Sequence, residues 1–563
     1  MRRVLILVAS LGCGGHSGDN YGANAHHAGG HDSSDALDGA AGRDLGSSDR
    51  CPVLDPGPVA FEDVTVTAGL PNASTDCLVF DDLDGDAVPD VLVGVPDQGV
   101  TLYRGSGDGT FNAEPLGVSA ADTWSCASGD FDRDGVADLA VGHADGRVTM
   151  LRGLGDGLFE DVSDRLPAVA PAIDVILTYV GFVDFDADAW LDLVLGYFAL
   201  TEDIPEGSTN TCGFVGDDYA CRVEPPLAQE PPRLLRNEGG ERFSTVADPF
   251  AGDIERGIWS VAAQDWDDDG WVDLYASVEQ ESNALYRNVD GSGAFEEILS
   301  SLADAPFNHA MGVAVADFDR DGTRDVYVTD LGPDQFWFGA DGRLEDRAEE
   351  LGIAGATRST STWSPVVADL NADGWLDLFV PATMAAPSAE AFHEAVLAGA
   401  VILPDYPQRD FLFVADGRGG FDASTIENGL TPAVIGPAAA AVADYDSDGD
   451  LDIAEAYGQP PRFRLLRNDT TPFGHWIELR VRGAASGVDA EGAVVEIERG
   501  GVVERREVRG ETGGIGKSWR TLHFGLGCES IERITVRWPS GAREEMTGPI
   551  EVDRLLEVAE EAP

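Results

Sequence analysis

DWDDDGWVD, Asp265 to Asp273, is the stretch on which the fold turns. It carries aspartate at positions 1, 3, 5 and 9, glycine at position 6, and short apolar flanks, SVAAQ before and LYASV after. The same phrase returns six times, as DLDGDAVPD, DFDRDGVAD, DFDADAWLD, DFDRDGTRD, DLNADGWLD and DYDSDGDLD. Numbered along the chain, the first three copies set Asp82, Asp84, Asp86 and Asp90; Asp130, Asp132, Asp134 and Asp138; and Asp184, Asp186, Asp188 and Asp192 in register. The fourth sets Asp265, Asp267, Asp269 and Asp273, and the fifth Asp317, Asp319, Asp321 and Asp325. The sixth has Asp369, Asn371, Asp373 and Asp377, and the seventh Asp444, Asp446, Asp448 and Asp452. A hard cation such as Ca²⁺ takes six to eight oxygens, and four acids at this spacing supply most of them. Glycine at position 6 permits the sharp turn. Seven copies in one register predict up to seven calcium sites.

An EF-hand would require a glutamate at position 12 and a helix on either side. The β-like flanks instead make each loop a turn between two antiparallel strands. After most loops comes a strand ending in L-x-R-[NG], a Gly/Asp turn, and a strand opening on Phe, as in LLRNEGGERFSTV from Leu234. Four strands per repeat, with loop starts 48, 54, 81, 52, 52 and 75 residues apart, predict an all-β, seven-bladed propeller over residues 56–469. The seventh repeat stops at LLRND, Leu465 to Asp469, without its Phe strand. That strand stands ahead of the first loop, as FEDVTVTAGL from Phe61, and is expected to close the ring by completing the last blade. Residues 470–558 read as a small β-rich domain, with 559–563 as a tail.

These repeats resemble the FG-GAP/VCBS type of integrin α-chain propellers. HWIELRV from His475, DAEGAVVEI from Asp489, LHFGLG from Leu522 and VRWPSG from Val536 resemble the UnbV/ASPIC domain. The combination resembles the cartilage acidic protein family and its bacterial relatives. The chain has Glu491 where that family usually has isoleucine, and GETGGIGKSW (from Gly510) where relatives carry G-G-G-Y-x-S-Q. The resemblance implies a fold more than a chemistry.

MRRVLILVASLGC reads as an export signal. One reading makes Cys13 a lipidated residue at the mature N-terminus, with Gly14 compatible with onward transport to an outer membrane. The other is an ordinary signal peptide with an incidental cysteine. Residues 14–55 are Gly, Ser, Asp, Ala and His, a flexible tether. Export predicts disulfides, with Cys212 and Cys221 a local pair. Cys77 pairs with either Cys126 or Cys51, and Cys528 reads as a buried thiol.

The chain has 101 acids against 37 basic residues, for a net charge of −64, and Lys517 is its one lysine. Nucleic acid is excluded as a partner, since phosphate binding needs clustered cations. Twenty-seven of the acids are the loop aspartates, so calcium should be coupled to folding. Ala87 and Ala189 stand at position 6 of the first and third loops, predicting strain and weaker binding there.

The order of strands puts the loops on one face and the long insertions, 201–232 and 384–409, on the other; residues 388–399 are expected to form a short helix. Trp124, Trp259 and Trp363 each lie six residues before a loop. They either ring the channel mouth as a ligand face or pack against neighbouring blades. Trp190, Trp271 and Trp375, at position 7, are expected to pack between blades.

The sequence lacks G-x-S-x-G, H-E-x-x-H and Walker motifs. The leading expectation is therefore a calcium-binding, exported binding or adhesion module for a protein or glycan. The alternative is a propeller-based polysaccharide lyase or hydrolase, for which His309 gathered with an Arg and a Tyr would speak.

Overall fold

A computed structural model describes residues 59–561 apart from gaps, the larger being 200–208, 251–256, 384–408 and 428–434. Cys13, the tether, Cys51 and the expected helix over 388–399 lie outside the described residues.

Among the described residues, seven sheets, each with four antiparallel blade strands and three of them with a short fifth strand added, make the body of the molecule. Blade 1, for example, runs Leu78–Asp81, Asp90–Val95, Gly99–Gly105 and Phe111–Pro115 from inside to outside. In every blade the ninth residue of the acidic phrase opens the second strand and pairs with the last residue of the first. Asp81 faces Asp90 in blade 1, Gln264 faces Asp273 in blade 4, and Ala443 faces Asp452 in blade 7. The phrases are therefore the turns between first and second strands.

The ring closes as the sequence predicts. Phe61–Asp63 pairs antiparallel with Leu466–Asn468 and becomes the outer strand of blade 7. Each inner strand touches the next around the ring, including blade 7 against blade 1. Apolar cores join successive pairs of blades rather than filling one centre. Position 2 of each loop supplies these cores: Phe131 packs between blades 2 and 3, Phe185 between 3 and 4, and Phe318 between 5 and 6. A fully buried aromatic of this kind contributes about 1.5–3 kcal/mol, so each loop is pinned by its own second residue.

The C-terminal domain has a three-stranded sheet (Leu522–Gly527, His475–Arg482, Leu555–Ala559) and a four-stranded one (Val502–Glu507, Val494–Arg499, Arg533–Arg537, Arg543–Thr547). They share a core that includes Ile477, Val495, Phe524 and Trp538.

The stretch that stands in place of G-G-G-Y-x-S-Q joins the two domains through residues 512–519. Thr512–Gly513 pairs with Val313–Ala314 of blade 5, and Gly516–Lys517 runs parallel to Leu78–Val79 of blade 1. The Ile515 amide donates to Ser364 Oγ (2.9 Å) and the Trp519 amide to the Val442 carbonyl (3.0 Å). Glycine is required at 516, because a Cβ there would lie 2.2 Å from the Ala440 carbonyl oxygen. This finger enters the channel from the loop face, and Lys517 rests 4.1 Å above the Tyr179 ring of blade 3.

Cys77 and Cys126 form a disulfide between blades 1 and 2, which settles the open choice for Cys77. Cys212 and Cys221 stand directly opposite one another in the hairpin Thr209–Val215/Asp218–Glu224. Cys528 is exposed and disulfide-bonded, not the buried thiol expected.

Candidate metal centres and the docked domain

The seven acidic turns share one hydrogen-bond frame. In loop 2, Asp130 at position 1 accepts the amides of Asp134 (3.1 Å) and Gly135 (2.9 Å). Asp134 at position 5 accepts the amide of Val136 at position 7 (3.0 Å). Asp138 at position 9 uses both oxygens, one on the Phe131 amide (2.9 Å) and one on the Gly153 amide of the third strand (2.7 Å). Position 9 is thus a backbone staple as well as a candidate ligand. The [NG] that ends the third strand serves the same frame. Asn237 reaches back to the Phe131 carbonyl of the preceding loop (2.8 Å), as Asn288 does to Phe185 (2.7 Å) and Asn468 to Leu370 (2.8 Å). Where glycine replaces it there is no room for more: a Cβ on Gly153 would sit 2.3 Å from the Ala137 oxygen.

The acids converge. In loops 1, 2, 3 and 5 one oxygen from each of positions 1, 3 and 9 lies within 4.8 Å of the other two, and in loop 4 the same holds for positions 1, 3 and 5. The position-3 oxygens Asp132 Oδ1, Asp186 Oδ1, Asp319 Oδ1 and Asp446 Oδ1 are buried with no hydrogen-bond partner. An uncompensated buried carboxylate oxygen is costly, and a divalent cation is the group that satisfies three such acids at once. The residues present therefore fit a hard cation with oxygen ligands.

Without a cation, burial first and the neighbouring aspartates second hold these carboxyls protonated far above their usual range. Asp90, Asp138 and Asp325 are pushed up to about 8, and Asp184, Asp273 and Asp444 to about 7. Amide donors to the same oxygens offset only part of that cost.

Position 6 is left-handed in every loop, at φ 87° for Gly135 and 93° for Gly270, and equally for Ala87 (74°) and Ala189 (69°). The strain expected of those two alanines is present. Position 4 is left-handed too, in Arg133 (59°), Ala187 (52°) and Arg320 (59°), a feature that the sequence did not announce; loop 1 alone places glycine there, Gly85 (87°). Arginines of the L-x-R phrase lie against position 3: Arg152 Nε is 2.8 Å from Asp132 and Arg236 Nε 2.8 Å from Asp186, and Arg104 contacts Asp84.

Of the two readings of Trp124, Trp259 and Trp363, burial favours packing over an open ligand face. Trp259 is fully buried, and Trp124 and Trp363 nearly so. They meet one another, with ring centroids 6.3 Å apart for Trp124–Trp259 and 5.6 Å for Trp259–Trp363. Trp259 Nε1 donates to Glu279, and Trp363 Nε1 to Thr383 Oγ1 (2.8 Å). They consequently seal the channel and offer no open ring to a ligand. Two of the position-7 tryptophans pack between blades, Arg133 stacking over Trp190 (5.2 Å) and Arg320 over Trp375 (4.0 Å), whereas Trp271 lies against Gly291 of its own blade. His309 is buried with Nδ1 3.6 Å from Glu279.

The C-terminal domain sits on the acidic loops. Arg480 binds Asp82 (2.6 Å), Arg505 binds Asp268 (2.8 Å), and Asp489 accepts the Asp130 amide (2.8 Å). His523 Nε2 lies 3.0 Å from the Gly449 carbonyl oxygen. Between the domains a cavity of about 110 Å³ is lined by Tyr179, Glu491, Arg506, Lys517, Trp519 and His523, among others.

Fold and site together define a class: an FG-GAP-repeat β-propeller that carries an ASPIC/UnbV domain. Residues 82–141, 130–195 and 265–328 match the FG-GAP-like repeat, and residues 483–563 match the family described as ASPIC and UnbV. The chain is similar to cartilage acidic protein 1 of Mus musculus, 27% identical over 299 residues, which are 50% of this chain and 42% of that protein. The human protein is 25% identical over 297 residues, 51% of this chain and 42% of its own length. The chain thus spans less than half the length of these relatives. Among solved structures, BBS1N in complex with ARL6DN aligns at a TM-score of 0.41 and 11% identity, covering 73% of this chain and 98% of that one. The V. cholerae biofilm matrix protein Bap1 aligns at a TM-score of 0.30 and 12% identity, covering 85% and 62%.

Proposed function

We propose that this is an exported, calcium-stabilised propeller that presents a binding or adhesion surface for a protein or glycan, held at the cell envelope through Cys13. The observation that carries the calcium reading is the convergence of three carboxylates within 4.8 Å in each of five loops. Calcium would be held by positions 1, 3, 5 and 9, and would supply the positive charge that lets those buried acids ionise. Among the described residues no helix is long and apolar enough to cross a membrane.

The loop face is occupied by the chain's own C-terminal domain and finger. That favours the opposite face for a partner, where the insertions of blades 3 and 6 emerge, because variable loops on a rigid scaffold commonly carry recognition. The test is elemental analysis of the dialysed protein with melting curves in calcium and in excess chelator. Three or more calcium ions per chain and a strong fall in melting temperature on chelation are expected. Fewer than three ions, or unchanged melting, defeats the reading.

A further inference from the structure

We propose that loop 7 is a calcium site shared between the two domains, in which Asp450 of the loop and Glu478 of the C-terminal domain join the loop's own aspartates. The inference rests on the calcium reading above and names further ligand residues at one site.

The strand His475–Arg482 lies across loops 7 and 1, and its alternation turns Trp476, Glu478 and Arg480 towards them. Trp476 packs so closely on Gly449 that a Cβ there would lie 1.9 Å from the indole nitrogen. Two residues on, Glu478 feels the charge of Asp444, position 1 of loop 7. Two further on, Arg480 reaches Asp82, position 1 of loop 1. One strand thus sends an acid to one loop and a base to the next.

The consequences for the two loops are opposite. In loop 1 the guanidinium of Arg480 meets position 1 and that of Arg104 meets position 3. These cations already neutralise the two acids. In loop 7 Arg467 turns to Glu62 and Asp469, so Arg467 and Arg480 act on Asp446 and Glu478 only without a direct ion pair, and more negative charge is left to be balanced. Position 7, Val, Trp or Thr in the other loops, is here Asp450, and its carboxylate lies close enough to feel Asp444, Asp446 and Asp448. Glu478 is 3% exposed and Asp450 6%. Glu478 Oε1, Asp450 Oδ1 and Asp446 Oδ1 are all buried with no N–H or O–H donor to them, and the Asp450 carboxyl lies against the Asp448 carboxyl. Three orphaned carboxylate oxygens around one turn, one of them from a different domain, are costly unless a cation draws them together. Many carboxylates in a loop of adjustable geometry suit Ca²⁺ rather than Mg²⁺, which demands a tight octahedron and keeps its waters.

A calcium ion there ties the domains. The experiment compares the full exported chain with its Glu478→Gln and Asp450→Asn variants. Calcium bound is measured by equilibrium dialysis with elemental analysis, and release of the C-terminal domain by limited proteolysis. The expected result is one ion fewer, or one site at least tenfold weaker, in each variant. Proteolytic release from the variants in calcium should match that of wild type in chelator. Asp450→Asn changes a loop side chain outside the C-terminal core, so it tests the site even if Glu478→Gln disturbs folding. A wild type that binds calcium while both variants keep its ion count and its resistance overturns the shared site and leaves the calcium propeller standing. A wild type that binds no calcium overturns both.

Discussion

Alanine at position 6 shows what single residues decide here. Ala87 and Ala189 occupy backbone that costs an L-residue roughly 1–2 kcal/mol, part of which is recovered because alanine orders more cheaply than glycine. Ala189→Gly should therefore raise the melting temperature slightly, a gain of about 1 kcal/mol or less, and tighten calcium binding at loop 3. Titration calorimetry would expose the error if affinity fell. The same logic orders two aspartates. Asp267→Ala should cost a bound ion, whereas Asp84→Ala should cost little calcium, because loop 1 strains at Ala87 and its acids already face Arg104 and Arg480. Position 6 was legible because glycine's absence is visible in the sequence. Left-handed position 4 was not, since Arg133 and Arg320 carry no mark of the conformation they adopt. Trp259 could be read either way from the sequence; buried among Trp124, Trp363 and Phe198, its replacement by alanine should cost about 3–5 kcal/mol of stability instead of a ligand contact.

The loop as an element gives a pH dependence. In the calcium-free protein Asp90, Asp138 and Asp325 hold protons up to about pH 8 that the unfolded chain has released above 3.8. The folded state then binds more protons than the unfolded one across that window, so calcium-free stability falls as pH rises from about 4 to 8. Calcium binds the deprotonated form, so its affinity rises over the same range and binding releases protons. The gap in melting temperature between calcium and chelator should therefore be wider at pH 8 than at pH 5. A gap independent of pH would show that these carboxyls do not carry the metal. Turn, strand order and the strand swap at Phe61 were all readable, because repetition in register fixes hairpins and a missing strand must be found elsewhere. The finger was not readable: Thr512–Lys517 earns its strand pairing only inside a channel that other blades build. Gly516→Val should accordingly undock the C-terminal domain while both domains keep their far-ultraviolet dichroism, since the clash is with Ala440 across the junction.

The two faces of the molecule differ. The candidate cation loops lie under a domain the chain supplies itself, so a metal bound there would stabilise and clamp instead of bridging to a partner. The opposite face carries the hairpin Thr209–Glu224, with Cys212 opposite Cys221, on a blade whose core does not depend on it. Removing residues 207–226 should leave the melting temperature and the ion count nearly unchanged, because a long surface connection costs little closure entropy. If that face recognises a protein or glycan, the same deletion should abolish retention on a glycan and envelope-protein panel that wild type shows in calcium. Charge-neutral changes at exposed turn residues of the loop face should leave retention intact at equal calcium occupancy. Loss of retention from the loop-face changes, with the hairpin deletion silent, would place the partner on the calcium side. The C-terminal domain would then have to lift away from Asp82 and Asp268 before anything could bind.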